Sequence, residues 1–251
     1  MLTAIRQTDG RKVGAWEAEK GGGPFECFCC RRVVTLRKGR VYAAHFAHQP
    51  PVSCEYGAGE SEEHRRCKIA LYEALAADPR VGKCELERDL GTVRPDVSAY
   101  VRGVPVAFEV QLSSLSLERI VYRTGEYARK GTYVLWLPVA HEGLRRGLYG
   151  PRPWEAWLHA AYFGKVYYWL EGARVLPVTF RDYYAQVRGR TRDFQKLSRL
   201  KVPVAGRPLS LLEDFEPLRR AAWSSARLSV PAAKLFVGAR ARAETLTRGE
   251  I

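Results

Sequence analysis

The sequence lacks any apolar run long enough to cross a membrane, since none of its segments approaches the ~20 consecutive apolar residues that a bilayer requires. Its N-terminal segment also lacks the apolar core of a secretory signal peptide. We therefore expect neither secretion nor membrane insertion, and we predict a cytoplasmic protein. The chain has no repeat of fixed period and no low-complexity tract. Its 251 residues, 46% of them hydrophobic, predict an ordinary globular fold.

Acidic residues are scarce relative to basic ones. The chain has 41 Lys and Arg against 27 Asp and Glu, a net charge of +14. Residues 187–251 carry 14 basic and 6 acidic residues, which is more than half of the excess. A field of this size and sign favours a polyphosphate partner. We therefore expect a nucleic acid as the partner, and we expect Arg188, Arg190 and Arg192 to bind its phosphates.

Residue patterns divide the chain into three parts. Residues 1–57 contain short runs of β-forming residues and predict a small β-rich module, whereas residues 151–251 predict a sheet extension followed by a basic C-terminal region. Residues 58–150 predict an α/β core. Its elements follow in the order helix, three strands, helix and strand, at 60–77, 84–90, 95–101, 104–112, 116–130 and 132–138.

The second and third strands of this core predict a pair of facing carboxylates. Arg102 and Gly103 form a tight hairpin turn, and the resulting register places Asp96 directly opposite Glu109. Facing carboxylates lie about 5 Å apart and repel each other unless a cation lies between them. Gln111 points to the same face as Glu109, because side chains alternate along a strand.

The preceding helix directs further polar groups toward this hairpin. At about 100° per residue, Glu60, His64 and Lys68 fall on its inward side. With the hairpin they predict an oxygen-rich pocket for Mg²⁺ or Mn²⁺, either of which can activate water for phosphodiester hydrolysis. Each residue alone also has a structural interpretation: Asp96 as a turn residue, Glu109 as an ion-pair partner of Lys68, and His64 as a helix-terminal group.

Five motifs carry a resemblance to a known family, namely HFAH at 45–48, ESEEHRRCK at 60–68, RPDV at 94–97, FEVQLSSLSLERIVYR at 108–123 and YVLW at 133–136. Over about residues 25–138 the chain resembles the competence-protein CoiA-like nuclease family of the PD-(D/E)xK superfamily. The resemblance implies a restriction-endonuclease-like core and metal-dependent hydrolysis of DNA during uptake or recombination. By position, it implies that Asp96 and Glu109 bind the metal and that Glu60 and His64 complete the site.

One position departs from the wider superfamily, because Gln111 occupies the slot in which that superfamily has lysine. Glutamine can orient water by hydrogen bonds but carries no charge. Lys68, on the inward side of the helix, can supply the missing charge. Arg119 and Arg123 lie one helical turn apart in the following helix, where they either hold a phosphate beside the metal or form solvated helix surface.

A second group of residues has the composition of a zinc site. Cys27 and Cys30 have the C-x-x-C spacing of a tetrahedral site, and three further candidate ligands follow them. His48 with Cys54 is our first choice for the second pair of ligands. His45 with His48 is the second choice, because in an extended segment these two side chains point apart. We expect a structural zinc ion that stabilises the β-rich module.

These observations predict a deoxyribonuclease that uses Mg²⁺ or Mn²⁺ for catalysis and Zn²⁺ for structure. The alternative is a DNA-binding recombination mediator on a nuclease-like fold that no longer cleaves, which Gln111 in the lysine slot favours. Recombination proteins are then its expected partners. An RNA-binding zinc protein fits the charge equally well, but it gives no reason for Asp96 to face Glu109.

Overall fold

The computed structural model describes residues 1–52, 54, 60–186, 194–217 and 228–230. The helices are α1 (Glu62–Ala76), α2 (Leu117–Arg129) and α3 (Pro153–Ala161), with one 3₁₀ turn at Glu142–Arg145. The strands are β1 (Thr3–Arg6), β2 (Lys12–Gly14), β3 (Phe25–Glu26), β4 (Val33–Arg37), β5 (His45–His48), β6 (Val81–Leu86), β7 (Val97–Val101), β8 (Val104–Gln111), β9 (Tyr133–Pro138), β10 (Val166–Glu171), β11 (Arg174–Gln186), β12 (Phe194–Ala205), β13 (Leu209–Ser210), β14 (Phe215–Pro217) and β15 (Leu228–Val230).

The first five strands form an antiparallel sheet in the order β2-β1-β3-β4-β5. Its strands are short, and a small apolar cluster covers one face, with Phe25, Val34 and Phe46 fully or almost fully buried. The rings of Phe25 and Phe46 lie 5.0 Å apart, centroid to centroid. Cys27 and Cys54 belong to the same cluster, so these two cysteines are part of the buried core of this module.

The core sheet has the order β6-β7-β8-β9 and follows α1, with α2 between its last two strands. This is the element order that the sequence predicts. The β7–β8 hairpin runs from Val97 opposite Phe108 to Val101 opposite Val104, which is also the predicted register. Arg102 and Gly103 both have positive φ, +50° and +79°, as the favoured two-residue hairpin turn requires.

Parallel pairing of β8 with β9 requires a crossover, which α2 provides. Serine caps begin both core helices, since the Ser61 side chain accepts a hydrogen bond from the backbone N–H of His64 and Ser116 accepts one from that of Arg119. Ser61 marks the residue after which α1 begins, and the first turn of α1 lies beside the hairpin through His64.

The first core strand is the element whose predicted bounds differ most from the structure. The pattern CELERDL predicts a strand at 84–90, whereas β6 spans Val81–Leu86. The strand ends at the residue before Glu87, whose φ of +49° is a left-handed conformation. Glu87 is nevertheless almost fully buried, at 3% exposure.

A third sheet, β10-β11-β12 with β13 beside β11, shares the hydrophobic core of the core sheet. The two sheets meet where Val139 and Trp169 form an isolated parallel bridge. Trp154, Tyr162 and Tyr168 are buried at this junction, so α3 and β10 pack against the core as one body. In the described part of the chain no helix is long and apolar enough to cross a membrane.

His159 of α3 gives this fold a testable pH dependence. Its Nε2 atom accepts a hydrogen bond of 3.1 Å from the backbone N–H of Phe180, which requires an unprotonated nitrogen. Burial, reinforced by Lys201, lowers the pKa of His159 to about 4. An unfolded histidine titrates near 6.5. The stability contributed by the neutral ring is therefore fully present above about pH 6.5 and is lost as the pH falls toward 4, by on the order of 3 kcal/mol in total.

We expect the substitution His159→Gln, which keeps an acceptor for the Phe180 N–H, to remove this dependence. Urea unfolding at pH 7 and pH 5 measures it for both proteins. The unsubstituted chain should lose about 2 kcal/mol more unfolding free energy than the variant over this interval. Equal losses would show that His159 is not held neutral by the fold.

Candidate functional site

The candidate site is a cleft of about 360 Å³ at the end of the β7–β8 hairpin. Its lining comes from the N-terminal part of α1, the segment before β7, the end of β8 and the first half of α2. The eight core residues singled out from the sequence all line it: Glu60, His64, Lys68, Asp96, Glu109, Gln111, Arg119 and Arg123. The fold thus gathers them in one place.

His64 lies at the centre of the polar groups. Its Nε2 atom is 3.2 Å from Oδ2 of Asp96 and 3.0 Å from the main-chain oxygen of Val110. Its Nδ1 atom is 3.2 Å from Oε1 of Glu60. Burial lowers the pKa of His64, but the Asp96 and Glu60 carboxylates outweigh burial and raise it to about 10. At neutral pH the ring is therefore an imidazolium whose two N–H groups face oxygen acceptors.

Lys68 is a buried cation that three carboxylates share. Its side chain is 4% exposed, and its Nζ atom lies 2.7 Å from Glu60, 2.7 Å from Glu87 and 3.4 Å from Asp96. Burial lowers the pKa of Lys68, but these carboxylates raise it well above its ordinary value. The structural interpretation that paired Lys68 with Glu109 is therefore wrong, because Glu109 has other partners.

Glu109 is held by two groups of α2. Its Oε1 atom accepts hydrogen bonds from the Arg123 guanidinium and the Tyr127 hydroxyl. Burial raises the pKa of Glu109, although Arg123 opposes this shift. Arg123 also donates a hydrogen bond of 2.9 Å to the main-chain oxygen of Arg94, two residues before Asp96. Arg123 therefore lies inside the site and is not part of the solvated helix surface.

Gln111 and Arg119 lie nearer the mouth of the cleft. The Gln111 side chain donates a hydrogen bond to the main-chain oxygen of Ser113, which follows it in the loop. Arg119 is exposed on the first turn of α2. The other predicted DNA-binding residues, Arg188, Arg190 and Arg192, lie outside the described residues.

Three groups of the site were not identified from the sequence. Tyr127 could be identified from the sequence, because it follows Arg123 by four residues and so shares its helix face. The Val110 carbonyl belongs to the segment between Glu109 and Gln111 and needs the strand geometry to be placed. Nothing in the sequence indicates the role of Glu87, since its donors Leu2 and Thr3 lie 85 and 84 positions away in the chain.

The cysteine and histidine group forms a second site, in the N-terminal module. One ligand atom from each of Cys27, Cys30, His48 and Cys54 lies within 4.8 Å of all the others. The Sγ atoms of Cys27 and Cys54 are 3.9 Å apart, and Sγ of Cys30 is 3.2 Å from Nε2 of His48. Sulfur ligands of a tetrahedral zinc ion lie about 3.8 Å apart. This Cys₃His cluster can therefore hold a zinc ion.

His45 lies outside the cluster. It begins β5 and His48 ends it, so the alternation of side chains along the strand directs the two rings to opposite faces. His48 is buried on the same face as Phe46, whereas Nδ1 of His45 lies 2.9 Å from the main-chain oxygen of Ala43. The second ligand pair that the fold brings together is thus His48 with Cys54.

Comparison with known families matches two consecutive stretches of the chain. Residues 8–57 match the N-terminal domain of competence protein CoiA, and residues 60–147 match the nuclease-like domain of the same protein. No curated protein and no solved structure matches the chain. The first match covers the module with the Cys₃His cluster, and the second covers the core with the cleft. Because the two matches lie in this order and together cover more than half of its length, the chain belongs to the competence protein CoiA-like family.

Proposed function

We propose that this protein is a divalent-metal-dependent deoxyribonuclease that hydrolyses phosphodiester bonds in DNA during uptake or recombination. The observation that carries the proposal is the convergence of Asp96 Oδ2 and the Val110 carbonyl oxygen on Nε2 of His64. The match to a nuclease-like domain supports it. We further propose that α1, the four strands and α2 form a PD-(D/E)xK core, in agreement with their order along the chain.

The donor chemistry around His64 suits a divalent cation. Two oxygen acceptors meet at one ring nitrogen, at 3.2 Å and 3.0 Å. Without metal the imidazolium N–H lies between them, and a divalent cation bound at Nε2 would replace that proton and keep both oxygens as ligands. Glu60 faces the other ring nitrogen, an arrangement in which a carboxylate orients a metal-binding histidine. His64, Asp96 and the Val110 carbonyl would therefore hold Mg²⁺ or Mn²⁺, and Glu109 is the fourth candidate ligand.

The remaining groups of the site would hold a carboxylate in place, orient a water molecule or contact the substrate. A bound divalent cation supplies an activated water and stabilises the charge of the phosphoryl transition state. The Val110 N–H donates a hydrogen bond of 2.9 Å to Asp96 and so fixes its carboxylate. The neutral Gln111 amide can orient a water molecule by hydrogen bonds. Arg119, exposed at the cleft mouth, can contact a phosphate of the substrate.

One observation favours a second candidate function. The Glu109 carboxylate already accepts hydrogen bonds from Arg123 and Tyr127. Gln111, at the position where the wider superfamily has lysine, is uncharged. A chain in which these bonds persist would bind DNA without cutting it and would act as a recombination mediator. The two functions differ in one measurable property, which is cleavage in the presence of metal.

We also propose that the Cys₃His cluster binds one structural zinc ion. Burial raises the pKa of Cys27 to about 11, so a cation that binds its thiolate has to displace a proton. The cluster holds together the ends of three segments of a module whose own apolar core is small. Zinc would therefore supply a large part of the stability of that module.

Cleavage of labelled DNA is expected to depend on Asp96. Asp96→Asn keeps an acceptor for the Val110 N–H but removes the charge that a cation needs, so we predict a loss of roughly 100-fold or more in turnover. The assay uses single-stranded, duplex and branched DNA with Mg²⁺, Mn²⁺ or EDTA. The matched control is Asp89→Asn, which changes an exposed aspartate and should leave turnover unchanged.

Two results would contradict the nuclease proposal. The first is binding of DNA by the unsubstituted chain with no cleavage in either metal, which would support the mediator function. The second is equal cleavage by the unsubstituted chain and Asp96→Asn, which would place the activity elsewhere.

Zinc content is expected to depend on Cys30. The chain should contain one zinc ion per molecule by elemental analysis, and Cys30→Ser should lose it and melt at least about 5 °C lower. Cys29→Ser is the matched control, because Cys29 is the exposed neighbour outside the cluster. A zinc-free chain, or equal zinc loss in both variants, would contradict the assignment.

A further inference from the structure

Several contacts connect the N-terminal module to the cleft, among them an ion pair of the Met1 ammonium with Glu60 and a group of hydrogen bonds to Glu87. Glu87 accepts backbone hydrogen bonds from Leu2 at 3.1 Å and from Thr3 at 3.0 Å, and it accepts a third bond from the Thr3 hydroxyl at 2.9 Å. The same carboxylate accepts a bond of 2.7 Å from Lys68 in α1. One buried carboxylate therefore joins strand β1 to the cation that Glu60 and Asp96 share.

The backbone of Glu87 makes a second set of connections. Its N–H donates a hydrogen bond of 3.1 Å to the main-chain oxygen of Asp96. Its carbonyl accepts one of 3.0 Å from the Lys12 ammonium of β2. A left-handed φ of +49° is unfavourable for glutamate, so these contacts and not local preference hold the residue in place.

The loop that carries Cys27 and Cys30 makes an independent contact with the same cleft. Phe28 lies between Cys27 and Cys30, and its ring centroid is 3.8 Å from the guanidinium carbon of Arg94. Arg94 lines the cleft and precedes Asp96 by two residues. The loop that carries two cluster cysteines thus packs against the segment that carries the central carboxylate.

We infer that Glu87 is a positioning residue through which the N-terminal module sets the geometry of Asp96, so that this module is part of the nuclease-like site. Loss of the Glu87 charge removes one of the three partners of Lys68. It also weakens the hydrogen bonds that the Glu87 side chain accepts from Leu2 and Thr3. Both changes reach Asp96, the first through Lys68 and the second through the backbone bond. The catalytic meaning of this role rests on the proposed function, whereas the structural coupling does not.

Hydrogen exchange of the full, metal-free chain tests the coupling without any activity. The reporters are the amides of Leu2 and Thr3 in the module and the amide of Val110, which donates to Asp96 in the core. Glu87→Gln should accelerate exchange at all three by about ten-fold or more, while the buried strand β9 keeps its protection. Glu73→Gln, which changes an exposed glutamate of α1, should change none of them.

A milder variant keeps the test decisive if Glu87→Gln unfolds. Thr3→Val removes only the hydroxyl donor on the module side, and Thr35→Val is its matched control on the exposed face of β4. The inference requires faster exchange at Val110 in Thr3→Val and no change in Thr35→Val. Acceleration confined to Leu2 and Thr3 would overturn it, because the contact would then be local to the module.

The same variants separate this inference from the proposed function. If the unsubstituted chain cleaves DNA, Glu87→Gln should lower kcat at least about ten-fold and leave KM within about two-fold, since Glu87 orients the site and does not touch substrate. An unchanged kcat with an altered KM would overturn the positioning role. If the unsubstituted chain does not cleave, the proposed function fails, and exchange at Val110 alone decides the coupling.

Discussion

The buried ammonium of Lys68 is the interaction on which the candidate site depends. Three carboxylates from three parts of the chain lie within 3.4 Å of it: Glu60 before the N-cap of α1, Glu87 after β6, and Asp96 before β7. Without a shared cation, these buried charges would repel one another at a cost of several kcal/mol. His64 supplies a second positive charge beside Asp96. The three carboxylates can therefore lie close together in the cleft and remain ionised.

The N-terminal module contacts this charge arrangement from outside the core. The N-terminal module donates hydrogen bonds to Glu87, and the Phe28 ring of the same module packs against Arg94. Two residues that line the cleft are therefore held by contacts from outside the core. The Cys₃His cluster lies in the module that provides these contacts. A structural zinc ion in the cluster and a catalytic cation in the cleft would then stabilise two parts of one functional unit.

Local rules predict much of the fold and of the site. The hairpin register and the turn at Arg102 follow from strand alternation, and the structure confirms them. Helical periodicity correctly directs His64 and Lys68 of α1 toward the cleft, whereas Glu60 reaches it from the residue before the N-cap, outside the helix. Alternation along β5 likewise separates His45 from His48. The burial of Glu87 could not be predicted, because its donors Leu2 and Thr3 lie at least 84 positions away and the residue pattern continues the strand past Leu86, where β6 ends. Long-range contacts of this kind leave no periodic signal in the sequence.

The most direct test of the account is pulsed electron paramagnetic resonance of Mn²⁺ bound to the full chain, with the cysteine cluster first saturated with zinc. The account predicts modulation from one imidazole nitrogen, because Nε2 of His64 lies with Asp96 and the Val110 carbonyl at the proposed cation position. This signal should disappear in His64→Gln and persist in His45→Gln. Bound Mn²⁺ without nitrogen coupling, or coupling that survives His64→Gln, would contradict the proposed cation site.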